Sequence, residues 1–112
     1  VYNRADFLNP VLSSVARQSS LPDEVIVSED GDSPAMAEVV RFWRARWPNS
    51  SKLRHVTQED RGNRKPRAMN RAVASTDCHY LLFIDGDCVL RRDFVADHLS
   101  LREEGAFLTG RR

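Results

Sequence analysis

The sequence predicts an α/β fold with a mainly parallel sheet, and three observations carry that prediction. Apolar residues recur at helical spacing in some segments and gather into short strand-length runs in others, the two patterns alternating along the chain. Two of the short runs, Glu24 to Ser28 and Tyr80 to Ile84, lead into the same Asp-Gly-Asp tripeptide. The 112 residues are enough for one modest domain with its own core.

Each element has its own signal. Leu8, Val11, Leu12 and Val15 fall at i, i+3, i+4 and i+7, which predicts a helix from Asp6 to Gln18. Asp6 suits its start, and Pro10 is tolerable only in its first turn. The turn pair Pro22–Asp23 introduces a strand from Glu24 to Ser28. Met36, Val39, Val40, Trp43 and Trp47 share one helical face, which places both tryptophans in the core, and Pro48 and Asn49 end it. Leu53 to Gln58 is a weaker strand signal, followed by the polar loop "EDRGNRKPR" and a short helix from Arg67 to Ala74. Tyr80 to Ile84 reads as a buried strand, Asp93 to Leu101 as a helix, and Ala106 to Leu108 as a last strand. Strands separated by helices pair in parallel through right-handed crossovers.

Composition narrows the classes. With 41% hydrophobic and 29% charged residues the chain reads as an ordinary soluble domain, without repeats, linkers or low-complexity segments. A net charge of +1 supplies no global field for nucleic acid or membrane. No apolar run has the length of a membrane span, and no signal peptide is visible. Cys78 and Cys88 flank the Tyr80–Ile84 run, too far apart across an extended strand to form a disulfide. Lacking a paired framework, they favour a reducing, cytoplasmic setting, and neither has a Cys or His neighbour at zinc spacing. His55, His79 and His98 are scattered and form no ligand spacing. The opening "VYNRADF" and the ending "FLTGRR" read as the edges of a piece of a longer protein.

The two acidic tips are the functional signal. In open α/β sheets the carboxyl ends of parallel strands line one crevice, where ligands sit. Asp30 and Asp85 would both face it. Asp85 and Asp87 lie two positions apart, so on extended backbone they lean to one side, and Gly86 lets a ligand approach. Two carboxylates without His or Cys suit a hard cation, Mg²⁺ or Mn²⁺, whose shell is completed by water and phosphate oxygens. The competing reading is a turn in which the aspartates bond to backbone amides. At the first tip Asp32 or Ser33 can cap the next helix, leaving Asp30 to accept hydrogen bonds from a uracil N–H or a ribose hydroxyl. Arg61, Arg64, Lys65, Arg67 and Arg71 precede and enter a helix, as in a diphosphate cradle or a solvated basic face. Nucleic acid is a weaker reading, since no aromatic residues are interleaved for base stacking.

The segments "VYNRADFLNPVLSSVARQ", "LPDEVIVSEDGDS" and "GNRKPRAMNRAVASTDCHYLLFIDGDCVLRRDFVADH" resemble, in order and over nearly the whole chain, the family 2 glycosyltransferases. The resemblance implies a Rossmann-like GT-A fold, with residues 1–112 as the nucleotide-sugar-binding part of a single domain, incomplete at both ends. It implies that Tyr2 and Asn3 lie beside the base and that Asp30 reads it. "KPRAMN", Lys65 to Asn70, would approach the nucleotide, with Lys65 and Arg67 assisting the diphosphate. Asp85 and Asp87 would be the D-x-D motif, Asp87 the stronger ligand for Mn²⁺ or Mg²⁺. "SEDGD" departs from the commoner Asp-Asp-Gly-Ser, which leaves the role of Asp32 open. The catalytic base is expected beyond Arg112.

The implied activity is transfer of a sugar from a nucleotide diphosphate donor, UDP first, to a glycan or other acceptor hydroxyl, with inversion. Polysaccharide assembly in the cytoplasm or at the inner membrane face is the implied setting. Two alternatives stand beside it. One is a non-catalytic nucleotide-binding fragment. The other is a haloacid-dehalogenase-type phosphohydrolase with Asp85 as nucleophile, against which Cys88-Val89 replaces the usual Gly-Thr.

Overall fold

The computed structural model describes residues 4–108. Its elements run α1 (Ala5–Ala16), β1 (Glu24–Ser28), α2 (Pro34–Arg44), β2 (Lys52–Val56), α3 (Lys65–Ala74) and α4 (Phe94–Leu101). β1 and β2 pair in parallel, with Glu24 opposite Lys52 and Ser28 opposite Val56. The predicted α/β class therefore holds, with a two-stranded parallel sheet flanked by helices.

Strand alternation divides the sheet into two faces. Val25, Val27 and Leu53 join Leu8, Leu12, Val15, Met36, Val40 and Trp47 in the core between the sheet, α1 and α2. The opposite face meets α3: Ser28 Oγ donates to the Ala68 carbonyl at 2.9 Å, and Arg54 Nη1 to the Ser75 carbonyl at 3.0 Å. Glu24 anchors that corner by pairing with Arg54 and accepting from Thr76 Oγ1 at 2.9 Å. Trp43 and Trp47 meet edge to face, and their Nε1 groups bond Asn9 and Ser51. Trp47 belongs to the buried core although it lies beyond the end of α2, and Trp43, partly exposed, packs against that core.

Helix starts differ from the sequence reading for identifiable reasons. α1 begins at Ala5, which puts Pro10 inside the helix rather than in its first turn, and Asp6 pairs with Arg4 instead of capping. At α2 neither Asp32 nor Ser33 supplies a side-chain cap. The buried Glu29 carboxylate takes that part, accepting the Ser33 N–H at 2.8 Å while its other oxygen meets His55 Nε2 at 2.7 Å. α3 starts at Lys65, two residues earlier than read, because Pro66 fits a first helical turn.

Two predicted strands do not form. Tyr80 to Ile84 and Ala106 to Leu108 carry no strand, and Leu81, Phe83, Ile84 and Phe107 are exposed. An apolar run supplies burial but not a hydrogen-bonding partner, and strand geometry needs both. β1 and β2 pair with each other, and no strand among the described residues lies alongside the other two runs.

The segment after residue 85 is fixed from α1. Ser14 Oγ accepts the Leu90 N–H at 3.0 Å. Gln18, almost fully buried, donates through Nε2 to the Arg91 carbonyl at 2.7 Å and the Ser14 carbonyl at 3.1 Å, and accepts the Val95 N–H at 3.0 Å. Ser19 adds bonds to Arg92 and Asp93. Both cysteines are free. No helix among the described residues is long and apolar enough to cross a membrane.

Candidate functional site

The two acidic tips converge on the start of α3. Asp30 follows β1 and is buried; its Oδ2 accepts the Arg64 backbone N–H at 2.7 Å and its Oδ1 accepts Gln58 Nε2 at 2.7 Å. The next residue, Lys65, reaches the second tip, with Nζ 3.2 Å from Asp85 Oδ1. Consecutive residues at one helix N-terminus thus tie Asp30 to Asp85. The loop that makes this possible turns at Gly62, whose φ of +69° is strained for other residues.

Asp30 was expected to offer its carboxylate to a ligand, and the structure gives it a second duty: each oxygen already accepts one hydrogen bond from its own chain. Those bonds, from Gln58 first and Arg64 second, hold its carboxyl below the ordinary aspartate range. Gln58, which the sequence reading left at the end of a strand, is the buried hub of this loop. Its Nε2 also bonds the Arg64 carbonyl and its N–H the Gly31 carbonyl. Two buried atoms here have no partner among the described residues, Gln58 Oε1 and Arg64 Nε. An unpaired acceptor and an unpaired donor beside Asp30 are costly unless a ligand or water meets them.

Asn in place of Asp30 tests the loop directly. It keeps one acceptor but turns an NH₂ toward either Gln58 Nε2 or the Arg64 N–H, donor against donor. A depressed carboxyl pKa stabilises the fold fully above the unfolded-state value, near pH 4, and the benefit is lost as pH falls through the folded-state pKa. Asp30→Asn should therefore be less stable than wild type at neutral pH, with the two chemical-denaturation curves converging as pH drops below about 4. Parallel curves across that range would refute the role given to Asp30. Glu24 and Asp6, lowered mainly by hydrogen bonds from Arg54 and Arg4, shift wild type and variant alike.

The second tip is a turn rather than a strand end. The Cys88 N–H donates to the Asp85 carbonyl at 3.1 Å, closing a turn over Gly86 and Asp87. One ligand atom each from Asp85, Asp87 and Cys88 lie within 4.8 Å of one another. Burial, and then the Asp87 charge beside it, push the Cys88 thiol up. Two carboxylates on one exposed turn fit a hard divalent cation, and an ammonium already sits against one of them.

The basic cluster divides. Arg61 pairs with Glu59 at 2.8 Å, Arg64 Nη2 bonds the Glu59 carbonyl and Arg71 Nη1 the Thr57 carbonyl, so these three brace the loop. Lys65 and Arg67 are exposed in the first turn of α3. Tyr2 and Asn3 lie outside the described residues.

An α/β domain with a parallel sheet has the general architecture in which ligands sit at the carboxyl ends of the strands. Comparison with known proteins makes the class specific: residues 1–111 match Glycosyl transferase family 2, and the chain belongs to that family. Two relatives are validoxylamine A glucosyltransferases of Streptomyces hygroscopicus. That of subspecies limoneus is 35% identical over 86 residues, covering 75% of this chain and 18% of its own length. That of subspecies jinggangensis (strain 5008) is 37% identical over 86 residues, covering 75% of this chain and 19% of its own. The chain thus spans less than a fifth of the curated relatives it matches. Family membership leaves the phosphohydrolase alternative without support.

Proposed function

We propose that this chain is the donor-binding part of a glycosyltransferase that moves a sugar from a UDP-sugar to an acceptor hydroxyl, with inversion and with Mn²⁺ or Mg²⁺. The observation that carries the reading is the convergence of Asp30, Lys65 and Asp85 at the start of α3 in a family 2 chain. The relatives' glucosyl activity makes a glucosyl donor the first to test.

The nucleotide half of the donor lies at Asp30. Gln58 Oε1 and Arg64 Nε offer an acceptor and a donor of the kind that a uracil edge completes, and the family resemblance adds Tyr2 and Asn3 as candidates for the base. The diphosphate lies at the N-terminus of α3, where the first N–H groups, Lys65 and Arg67 all favour an anion. The Lys65–Asp85 pair is largely exposed and so weak, which lets the ammonium move from the carboxylate to a phosphate. Asp85 and Asp87 would hold the cation, whose positive charge stabilises the departing nucleoside diphosphate.

Calorimetric titration of UDP with and without Mn²⁺ tests the reading on the intact protein. Binding that strengthens with Mn²⁺ and reverts with chelator is the expected result, accompanied by sugar transfer. Identical titrations in both conditions would overturn the metal-assisted site. Binding without donor hydrolysis or transfer would assign a non-catalytic module instead.

A further inference from the structure

We propose that Gln58, not Asp30, selects the base of the nucleotide: Gln58 Oε1 accepts a ring N–H, Arg64 Nε donates to the carbonyl beside it, and Asp30 positions both residues. The proposal rests on the donor-binding reading above and assigns the specificity within it. Gln58 stands just past the end of β2 and Asp30 just past the end of β1, at the carboxyl ends of two paired parallel strands, where ligands sit. Each Asp30 oxygen accepts a bond from its own chain. Gln58 Oε1 has no partner among the described residues, although the residue is only 6% exposed.

The orientation of the amide is fixed. Gln58 Nε2 directs its two hydrogens to Asp30 Oδ1 at 2.7 Å and to the Arg64 carbonyl at 3.1 Å. Both partners are acceptors, so turning the amide over would set oxygen against two oxygens. Arg64 is anchored at both ends as well: its backbone N–H meets Asp30 Oδ2 at 2.7 Å, and Nη2 donates to the Glu59 carbonyl at 2.6 Å. Between those anchors, Nε is a buried donor without a partner among the described residues.

A buried acceptor and a buried donor on one loop match a base edge that carries a ring N–H beside a carbonyl. Uracil presents that pair as N3–H and O4. Cytosine presents the reverse at the same atoms, a bare N3 acceptor and a 4-amino donor, and so sets acceptor against acceptor and donor against donor. A site built for one pattern rejects the inverted one because its own buried groups then stay unpaired.

Calorimetric titration of the intact protein with UDP and with CDP, each with Mn²⁺, tests the assignment. The two share ribose and diphosphate, so their affinity ratio reports the base alone. Wild type should favour UDP by at least about tenfold. Gln58→Lys keeps a donor toward Asp30 and the Arg64 carbonyl but removes the acceptor, so the preference should fall by at least about tenfold, to parity or in favour of CDP. Arg64→Met leaves the backbone N–H and carbonyl that hold Asp30 and Gln58, which keeps the test alive if Gln58→Lys does not fold. It should narrow the preference by at least about threefold. A wild-type ratio kept by Gln58→Lys would return base reading to Asp30, and one kept by Arg64→Met would overturn the paired edge. Equal binding of UDP and CDP by wild type would overturn the proposal and leave donor binding standing. Failure of both nucleotides to bind would remove the donor-binding reading as well.

Discussion

Asp87→Asn lowers Mn²⁺-dependent affinity for UDP by at least about tenfold, a loss of about 1.4 kcal/mol or more, while metal-free UDP binding changes little. The reason lies in what each acid of the turn already does. Asp85 faces the Lys65 ammonium at 3.2 Å, so part of its charge is compensated within the chain. Asp87 is exposed on the turn and meets the Cys88 thiol, a neutral neighbour. Neutralising Asp87 removes a carboxylate that a cation would otherwise share with phosphate oxygens. Asp85→Asn should cost less, because it releases Lys65 to meet the diphosphate directly. Titration calorimetry of both variants, with and without Mn²⁺, checks the ranking. An Asp87→Asn protein that keeps the wild-type Mn²⁺ dependence would refute the assignment.

That ranking could not be read from the sequence, although its ingredients could. The repeated Asp-Gly-Asp and the apolar run before each copy placed both tips in one crevice, and Glu24–Ser28 forms the strand as read. The equally apolar Tyr80–Ile84 does not, because hydrophobicity is a property of the residues themselves and pairing depends on a neighbour elsewhere in the chain. Charge misled in a related way. Arg61, Arg64 and Arg71 look alike in the sequence to Lys65 and Arg67, yet they bond loop carbonyls and Glu59. Whether a cation faces its own chain or a ligand depends on loop geometry, here on Gly62 and on the Gln58 side chain, and no periodicity records that. Glu29 shows the same limit. A carboxylate buried against His55 and the Ser33 N–H replaces the expected cap, because its position at the strand end points it back under α2.

Gln18 is the residue whose loss should damage the fold most for its size. Its side chain makes three hydrogen bonds from a buried position, two of them to the segment that follows the Asp85–Asp87 turn. Gln18→Leu leaves the Val95 N–H without a partner and takes one of two donors from the Arg91 carbonyl, which still accepts the Phe94 N–H at 3.1 Å. A buried group left unpaired costs about 1–3 kcal/mol, so a loss of about that size is expected. In a domain of this size that lowers the melting temperature by about 5 °C or more. Gln18→Glu separates hydrogen bonding from packing. It still accepts the Val95 N–H, but it sets an oxygen against the Arg91 and Ser14 carbonyls, so it too should be destabilised despite its near-identical shape. Amide exchange should quicken first at Val95 and Leu90, and the Mn²⁺-dependent UDP affinity proposed for the turn should fall with it, since the same segment follows directly on Asp87. Unfolding midpoints within about 0.5 kcal/mol of wild type for both variants would show that the segment is held by something other than Gln18.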